Sequence, residues 1–363
     1  MKAKVFFGFI LIFVLICSVF AWEDPPEFSW NHPAARMPGT QPLLGAFPDG
    51  PLQCLGCHGD YDQAVEPGFN WMGSMMAQAA RDPVFWACYT VAMQDAIWAI
   101  PNGPEPWATT PDVGDLCLRC HFPEGWLKGR SDPPNASVMT GSDYDGVHCD
   151  FCHRMYDPFL ETTFDGTRES EDWEGYWDEA GNTGPGSGTL SQLEAEATYT
   201  ADWTVARLIQ FLNRDFLYNW SSRIPVYDSY TENVGGQYFV STNEQKRGPY
   251  ADHVAIHGDG TLYSRYHKSK FYCGSCHDVS NPALANLGLS GLEDQSGGEH
   301  LISEQYSAFK YFHIERTSSE FMLSAYAQTP GEATNPEYEA LSGIDWAGKC
   351  QDCHMPKVCL LYT

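Results

Sequence analysis

Five copies of one short cysteine and histidine pattern run through the chain. Each copy is Cys-x-x-Cys-His, in which a histidine directly follows the second cysteine. Two thiols at this spacing can add to the two vinyl groups of one porphyrin, and the adjacent histidine can then bind the iron. The cysteine pairs are Cys54 and Cys57, Cys117 and Cys120, Cys149 and Cys152, Cys273 and Cys276, and Cys350 and Cys353. The histidines that follow them are His58, His121, His153, His277 and His354.

The pattern fits three other kinds of cysteine site less well: redox-active dithiols, zinc ribbons and disulfide frameworks. A chain of this composition would contain the pattern by chance roughly 0.01 to 0.02 times. A redox-active dithiol needs only one Cys-x-x-Cys, and a zinc ribbon pairs two such units about 15 to 20 residues apart, with no fixed histidine in either case. A disulfide framework is common in exported chains but does not repeat one pentapeptide. The pattern therefore predicts five covalently attached c-type haems.

Each iron can take a second axial ligand, and seven histidines outside the motifs are candidates. His148 comes first because it directly precedes Cys149, and His267 and His257 follow because they lie just upstream of the fourth motif. His313 is expected on a helix, where a fixed orientation favours ligation. The weaker candidates are His253, His300 and, in a proline-rich N-terminal segment, His32. For each of them the alternative is a surface histidine or one that hydrogen-bonds a haem propionate.

The elements that position the motifs are expected to be short helices and loops. The chain has 33 glycines and 24 prolines that interrupt it often, and strand-like alternation is rare outside pieces such as residues 237–241. Asp82 followed by Pro83 predicts the start of a helix. A capping box at Ser191 predicts a helix to about residue 213, and another helical region is predicted over about 301–327. The predicted fold class is mainly α with extensive loops, with a core built around packed haems.

The unequal spacing of the motifs predicts four parts of the chain. The loop-rich stretch from 161 to 189 and the helix predicted after it contain no motif. The parts are 1–21, a signal peptide; 22–160, a three-haem module; 161–261, a haem-free insertion of loop plus helix; and 262–363, a two-haem module. Cys88 and Cys359 lie outside the motifs and either pair with each other or remain thiols.

The first residues are typical of an export signal. Lys2 and Lys4 precede an apolar run, and small residues at the usual positions predict cleavage after Ala21. An uncleaved anchor is the alternative, although the run is short for a membrane span. No later segment has an apolar run of spanning length. The mature chain is therefore expected in the periplasm or outside the cell, without a stable membrane span.

The charge balance restricts the partners. The chain has 21 Lys and Arg against 47 Asp and Glu, a formal charge of −26. Nucleic acid and anionic membranes are bound by clustered basic residues, so this chain is expected to bind neither. Redox partner proteins with a basic docking surface fit better. The hydrophobic content of 43% is enough for a folded core.

The likeness to known proteins extends beyond the haem motif. The segments that carry it are Trp71–Ala77, Arg81–Trp86, Gly146–His153, Phe271–Val279 and Cys350–Pro356. They resemble segments of the multihaem c-type cytochromes, including relatives of hydroxylamine oxidoreductase, over roughly residues 50–160 and 245–356. Many of these relatives have a histidine where this chain has Met76. The corresponding haem could therefore be bis-His, His/Met with Met76 as ligand, or open, and Met76 could also be a core residue.

Three functions are compatible with five haems. The preferred one is an electron-transfer cytochrome, which needs no bond-making residue. The first alternative is an oxidoreductase acting on a small nitrogen or sulfur compound at one open haem, which also needs groups that move protons. The second alternative is a subunit of an extracellular conducting filament, formed by self-association. The spin states of the haems separate the first two, and the size of the native particle tests the third.

Overall fold

The computed structural model describes residues 39–46, 48–99, 113–158, 201–206, 208–209, 238–249, 261–268, 271–285, 311–328 and 349–355. Several sequence predictions lie outside these residues: the export signal, the loop-rich stretch 161–189, Cys359, and His32, His253, His257 and His300. Of the helix predicted over 191–213, residues 201–206 and 208–209 are described and are helical.

Helices predominate in the described part of the chain. The α-helices are α1 (Leu52–His58), α2 (Pro67–Met72), α3 (Met75–Gln78), α4 (Pro83–Ala99), α5 (Val113–His121), α6 (Pro123–Leu127), α7 (Cys149–Cys152), α8 (Thr317–Leu323), α9 (Ala325–Gln328) and α10 (Cys350–His354). The strands are β1 (Lys246–Gly248), β2 (Thr261–Tyr263), β3 (Val279–Ala285) and β4 (Tyr311–Glu315). Short 3-10 turns cover Gly141–Asp145, Arg265–Lys268 and Cys273–Ser275.

The strands form two separate pairs. β1 and β2 are parallel, with Lys246 opposite Thr261. β3 and β4 are antiparallel with an irregular register, and Val279 lies opposite Glu315. Of the piece predicted to be strand-like at 237–241, the described residues 238–241 contribute isolated bridges, at Tyr238 and Val240.

The predicted helix at Asp82-Pro83 is confirmed. α4 begins at Pro83, and the Asp82 Oδ1 accepts a hydrogen bond of 2.9 Å from the backbone N–H of Val84. An acidic cap followed by proline satisfies backbone groups that the first turn of a helix leaves without partners. Phe85 is buried and Val84 is exposed, so the Phe85 face of the helix packs on the core.

The helix predicted over about 301–327 is wrong for part of its length. Residues Tyr311–Glu315 form β4, and a helix begins only at Thr317. Aromatic and β-branched residues in this stretch favour a strand, and β3 supplies the partner. His313 therefore lies on a strand, and no helix orients it for iron binding.

One hydrophobic cluster unites segments from both sides of the predicted insertion. Its buried members include Phe85, Phe122 and Phe151, together with Tyr238 and Phe271 from later in the chain. Three motif cysteines pack against it while remaining partly buried: Cys117, Cys152 and Cys276. Within the described residues, the two predicted haem modules and the end of the insertion thus share one core.

Arg119, between the cysteines of the second motif, is buried in this cluster. Its guanidinium carbon lies 4.4 Å from the ring centroid of Trp126 and 4.0 Å from that of Tyr238. Its Nη1 donates to the Thr40 carbonyl at 3.1 Å, and the Tyr238 hydroxyl donates to the Arg119 carbonyl at 3.0 Å. Because a desolvated cation on an aromatic face is attracted to it, Arg119 fixes α5, and with it the second motif, to these two segments.

Glu124 on α6 lies at the centre of a buried polar cluster. Its Oε1 accepts hydrogen bonds from Lys128 at 2.7 Å and Ser142 at 2.8 Å, and its Oε2 lies 2.9 Å from His148 Nε2. Burial alone would raise the pKa of the carboxyl group. The contacts with His148, Lys128 and Ser142 outweigh burial and lower the pKa of Glu124 to about 2.

This shift predicts a pH-dependent loss of stability. A carboxyl whose pKa falls from 4.5 to about 2 on folding stabilises the protein above pH 4.5, and this contribution is lost as the pH falls toward 2. Glu124→Gln should lower the free energy of unfolding at pH 7 by about 3 kcal/mol, with a much smaller difference at pH 2. Urea unfolding at the two pH values measures this. Exposed Glu320 provides the matched control, Glu320→Gln, and an equal loss for Glu124→Gln at both pH values would contradict the role given to the Glu124 charge.

Candidate haem-attachment sites

Each of the five motifs lies in or begins in a helical turn. α1 contains the first motif, α5 ends on the second, α7 carries the third and α10 carries the fifth, whereas the fourth begins in the 3-10 turn Cys273–Ser275. In an α-helix, residues three and four positions apart share a face. On the α-helical turns, the two cysteines and the histidine of a motif are therefore presented on the same side.

Two motif histidines are oriented by backbone carbonyls. His121 Nδ1 lies 2.9 Å from the Ala79 carbonyl oxygen, and His153 Nδ1 lies 2.6 Å from that of Arg247. A carbonyl oxygen only accepts, so Nδ1 carries the proton and Nε2 keeps its lone pair. Burial lowers the pKa of both imidazoles, which keeps the rings neutral. A neutral histidine with its other nitrogen hydrogen-bonded is the form that ligates a metal, so these residues fit a haem iron.

The ring planes of the same two histidines are set by stacking. Phe85 on α4 stacks on the His121 ring with centroids 3.9 Å apart and planes inclined by 16°. His267 stacks on the His153 ring at 5.5 Å and 15°. Each ring thus has its orientation limited by a hydrogen bond at one edge and an aromatic neighbour on one face.

The histidine of the fourth motif meets a charged acceptor instead. His277 Nδ1 lies 3.7 Å from Glu315 Oε1, outside direct hydrogen-bond range but within ion-pair range. The Glu315 carboxylate raises the pKa of this imidazole. The His277 side chain is 61% exposed.

Three predicted distal ligands are described with their side chains: His148, His267 and Met76. The Nε2 of His148 faces Glu124, and the Nε2 of His267 lies 3.0 Å from the Cys152 carbonyl oxygen. In both rings the buried Nδ1 has no hydrogen-bond partner among the described residues. A buried polar atom without a partner is costly, and both nitrogens retain the capacity to bind. Met76 is half-buried, and only the backbone of His313 is described.

The segment that contains Met76 docks against the third motif. The Trp71 indole donates to the Val147 carbonyl at 2.9 Å, and the Val147 N–H donates to the Met76 carbonyl at 3.0 Å. Gly146 has φ of 64°, and a Cβ there would lie 2.4 Å from the Met76 carbonyl oxygen. Only glycine allows this approach. Because Ala79 follows in the same segment, one stretch of chain positions both the second and the third motifs.

The motifs lie against one another. Thiols of different motifs lie close enough to shift one another's pKa: Cys54 with Cys149, Cys120 with Cys276, and Cys273 with Cys350. The third and fourth motifs are linked by Tyr272, whose hydroxyl donates to the Cys152 carbonyl at 2.8 Å. The first motif therefore contacts the third, and the fourth contacts the second, third and fifth.

Several residues of these sites were not predicted from the sequence. Arg247, Ala79 and Tyr272 act through a backbone carbonyl or a remote hydroxyl, and Glu315 is one of 47 acidic residues. The contact between His153 and Arg247 spans 94 positions. No local pattern marks such partners, because any residue type supplies a backbone carbonyl.

The described side chains do not form a ready-made metal cluster. Among these residues, no three or more His, Cys, Asp and Glu side chains converge as a metal ion would require. Within the same ranges, no helix combines the length and apolar character needed to cross a membrane. No family model matches the chain, and no curated protein or solved structure is similar enough to it to count as a match.

The thiol contacts predict a difference in cysteine reactivity. A hydrogen bond with Cys149 is the main reason that the pKa of Cys54 falls from 9.0 to about 7. In the chain produced without haem attachment, Cys149→Ala should raise this pKa and slow alkylation of Cys54 by iodoacetamide at pH 7 roughly tenfold. Peptide mass spectrometry follows the rate. Cys152→Ala removes a thiol from the same motif and serves as the control; similar rates in the two variants would rule out the contact.

Proposed function

We propose that this protein is an exported multihaem c-type cytochrome that carries electrons along five covalently bound haems, in the periplasm or outside the cell. The observation that carries the proposal is the fivefold Cys-x-x-Cys-His pattern. The orientation of His121 and His153 supports it, because both rings are neutral and hold their protons on Nδ1.

The roles of the residues follow from their chemistry. In each motif the two cysteines would hold the haem by thioether bonds, and the histidine would bind its iron. Haem attached in this way supplies a one-electron couple at the iron, whose potential depends on ligands, hydrogen bonds and burial. The backbone carbonyls of Ala79 and Arg247 hold the imidazoles of the second and third motifs, and Phe85 and His267 limit their rotation.

The contacts between motifs support transfer of electrons within one chain. The thiol pairs connect the first motif with the third, and the fourth with the second and fifth. Tyr272 joins the third motif to the fourth. Sites that share side-chain contacts are close neighbours, so no partner is needed to connect them.

The distribution of charge supports a basic redox partner. Many of the basic side chains in the described ranges pair with acidic side chains inside the protein. Examples are Lys128 with Glu124, Arg130 with Asp143, Arg154 and Lys246 with Asp150, Arg247 with Asp202, and Arg316 with Asp278. Each such pair cancels one charge of each sign, so the excess of acidic residues leaves the formal charge at −26. Such a field steers a positively charged partner toward the protein.

Haem counting tests the proposal. The protein exported from a host that attaches c-type haem should contain five haems per chain by the pyridine haemochrome assay. The double variant Cys54→Ala, Cys57→Ala should contain four, because one motif is lost. Cys88 lies outside the motifs and is exposed, so Cys88→Ser should retain five. A wild-type protein without covalent haem would refute the proposal.

The spin states of the irons separate electron transfer from catalysis. An electron-transfer cytochrome should give low-spin signals for every haem in electron paramagnetic resonance, because each iron has two protein ligands. A high-spin signal that changes on addition of nitrite would instead favour an oxidoreductase with one open haem.

A further inference from the structure

The acceptors that face the motif histidines differ in charge. His121 and His153 meet neutral backbone carbonyls at 2.9 and 2.6 Å. His277 meets the carboxylate of Glu315, with 3.7 Å between Nδ1 and Oε1. The second, third and fourth motifs are therefore alike in sequence but unlike in the group behind the proximal ligand.

The position of Glu315 is fixed from two directions. Glu315 is the last residue of β4 and lies opposite Val279 of β3, two residues after His277. Its Oε1 accepts a hydrogen bond of 2.9 Å from the Thr317 N–H. The His277 carbonyl accepts one of 2.7 Å from the Ser318 N–H at the start of α8. The strand pair and the helix start thus hold the carboxylate and the imidazole beside each other.

A carboxylate behind a ligating histidine changes the iron that the histidine binds. A negative group at Nδ1 makes the imidazole a stronger donor. A stronger electron donor stabilises Fe(III) relative to Fe(II), and the negative charge of the carboxylate acts in the same direction. Both effects lower the reduction potential of the iron. A neutral carbonyl has a weaker effect of the same sign.

The fourth motif is also the one with the most contacts to others in the described residues. Cys276 meets the second motif at Cys120, and Cys273 meets the fifth at Cys350. Tyr272, which directly precedes the motif, reaches the third motif at Cys152. An electron that moved between the second, third and fifth motifs by these contacts would pass through the fourth.

We propose that Glu315 is a positioning residue that lowers the potential of the haem at the fourth motif below those at the second and third motifs. The fourth motif is then the site among the three at which an electron is least stable. This inference rests on the proposed function, because it requires haem at these motifs.

The test is a redox titration of the full-length holoprotein and its Glu315→Gln variant. Glutamine keeps an oxygen acceptor but removes the charge. One of the five midpoint potentials should rise by at least 59 mV, a tenfold change in its reduction equilibrium for one electron, while the other four stay in place. Glu320→Gln removes the same charge from an exposed position on α8 and should leave all five potentials unchanged.

The outcomes distinguish this inference from the proposed function. Five haems with unmoved potentials in Glu315→Gln would overturn the role of Glu315 and leave the cytochrome intact. A wild-type protein without haem would instead remove the proposed function. If Glu315→Gln fails to fold, the wild-type holoprotein decides: nuclear magnetic resonance of its proximal histidine rings, followed through a titration, should show the fourth haem oxidised before the second and third. Oxidation after either of them would overturn the inference.

Discussion

The Nδ1–H groups of His121 and His153 each donate a hydrogen bond to a backbone carbonyl, and much of the described structure serves to supply these two acceptors. The acceptors for His121 and His153 come from distant parts of the chain, at Ala79 and Arg247. The segment around Ala79 must therefore pack against both α5 and the third motif. In the same way β1, which lies within the predicted insertion, must reach the third motif. The shared hydrophobic core is the packing that results.

A buried ion pair holds one of these acceptors, the Arg247 carbonyl, in place. Arg247 offers its carbonyl to His153, and its guanidinium forms hydrogen bonds of 2.8 to 3.0 Å with the Asp202 carboxylate. Both side chains are almost fully buried. A buried charge that loses its partner is strongly destabilising, so the pair restrains the backbone at Arg247. Some of the acidic residues, such as Asp202, therefore stabilise the fold in addition to making the protein negatively charged.

Local sequence patterns predict some features of the molecule and miss others that depend on tertiary packing. The five motifs and the start of α4 at Pro83 follow from local patterns, because attachment and capping depend on neighbouring residues. The strand at Tyr311–Glu315 was predicted as helix, since its pairing partner lies more than twenty positions upstream. Glu315 and the Arg247 carbonyl carry no local signal, because tertiary packing alone brings them to a histidine. The resemblance to multihaem cytochromes remains a prediction.

The mass of the intact exported protein tests the central claim most directly. We expect the mass of the polypeptide after signal removal plus five haems, unchanged by denaturation because the thioether bonds are covalent. A polypeptide mass without haem would contradict the claim.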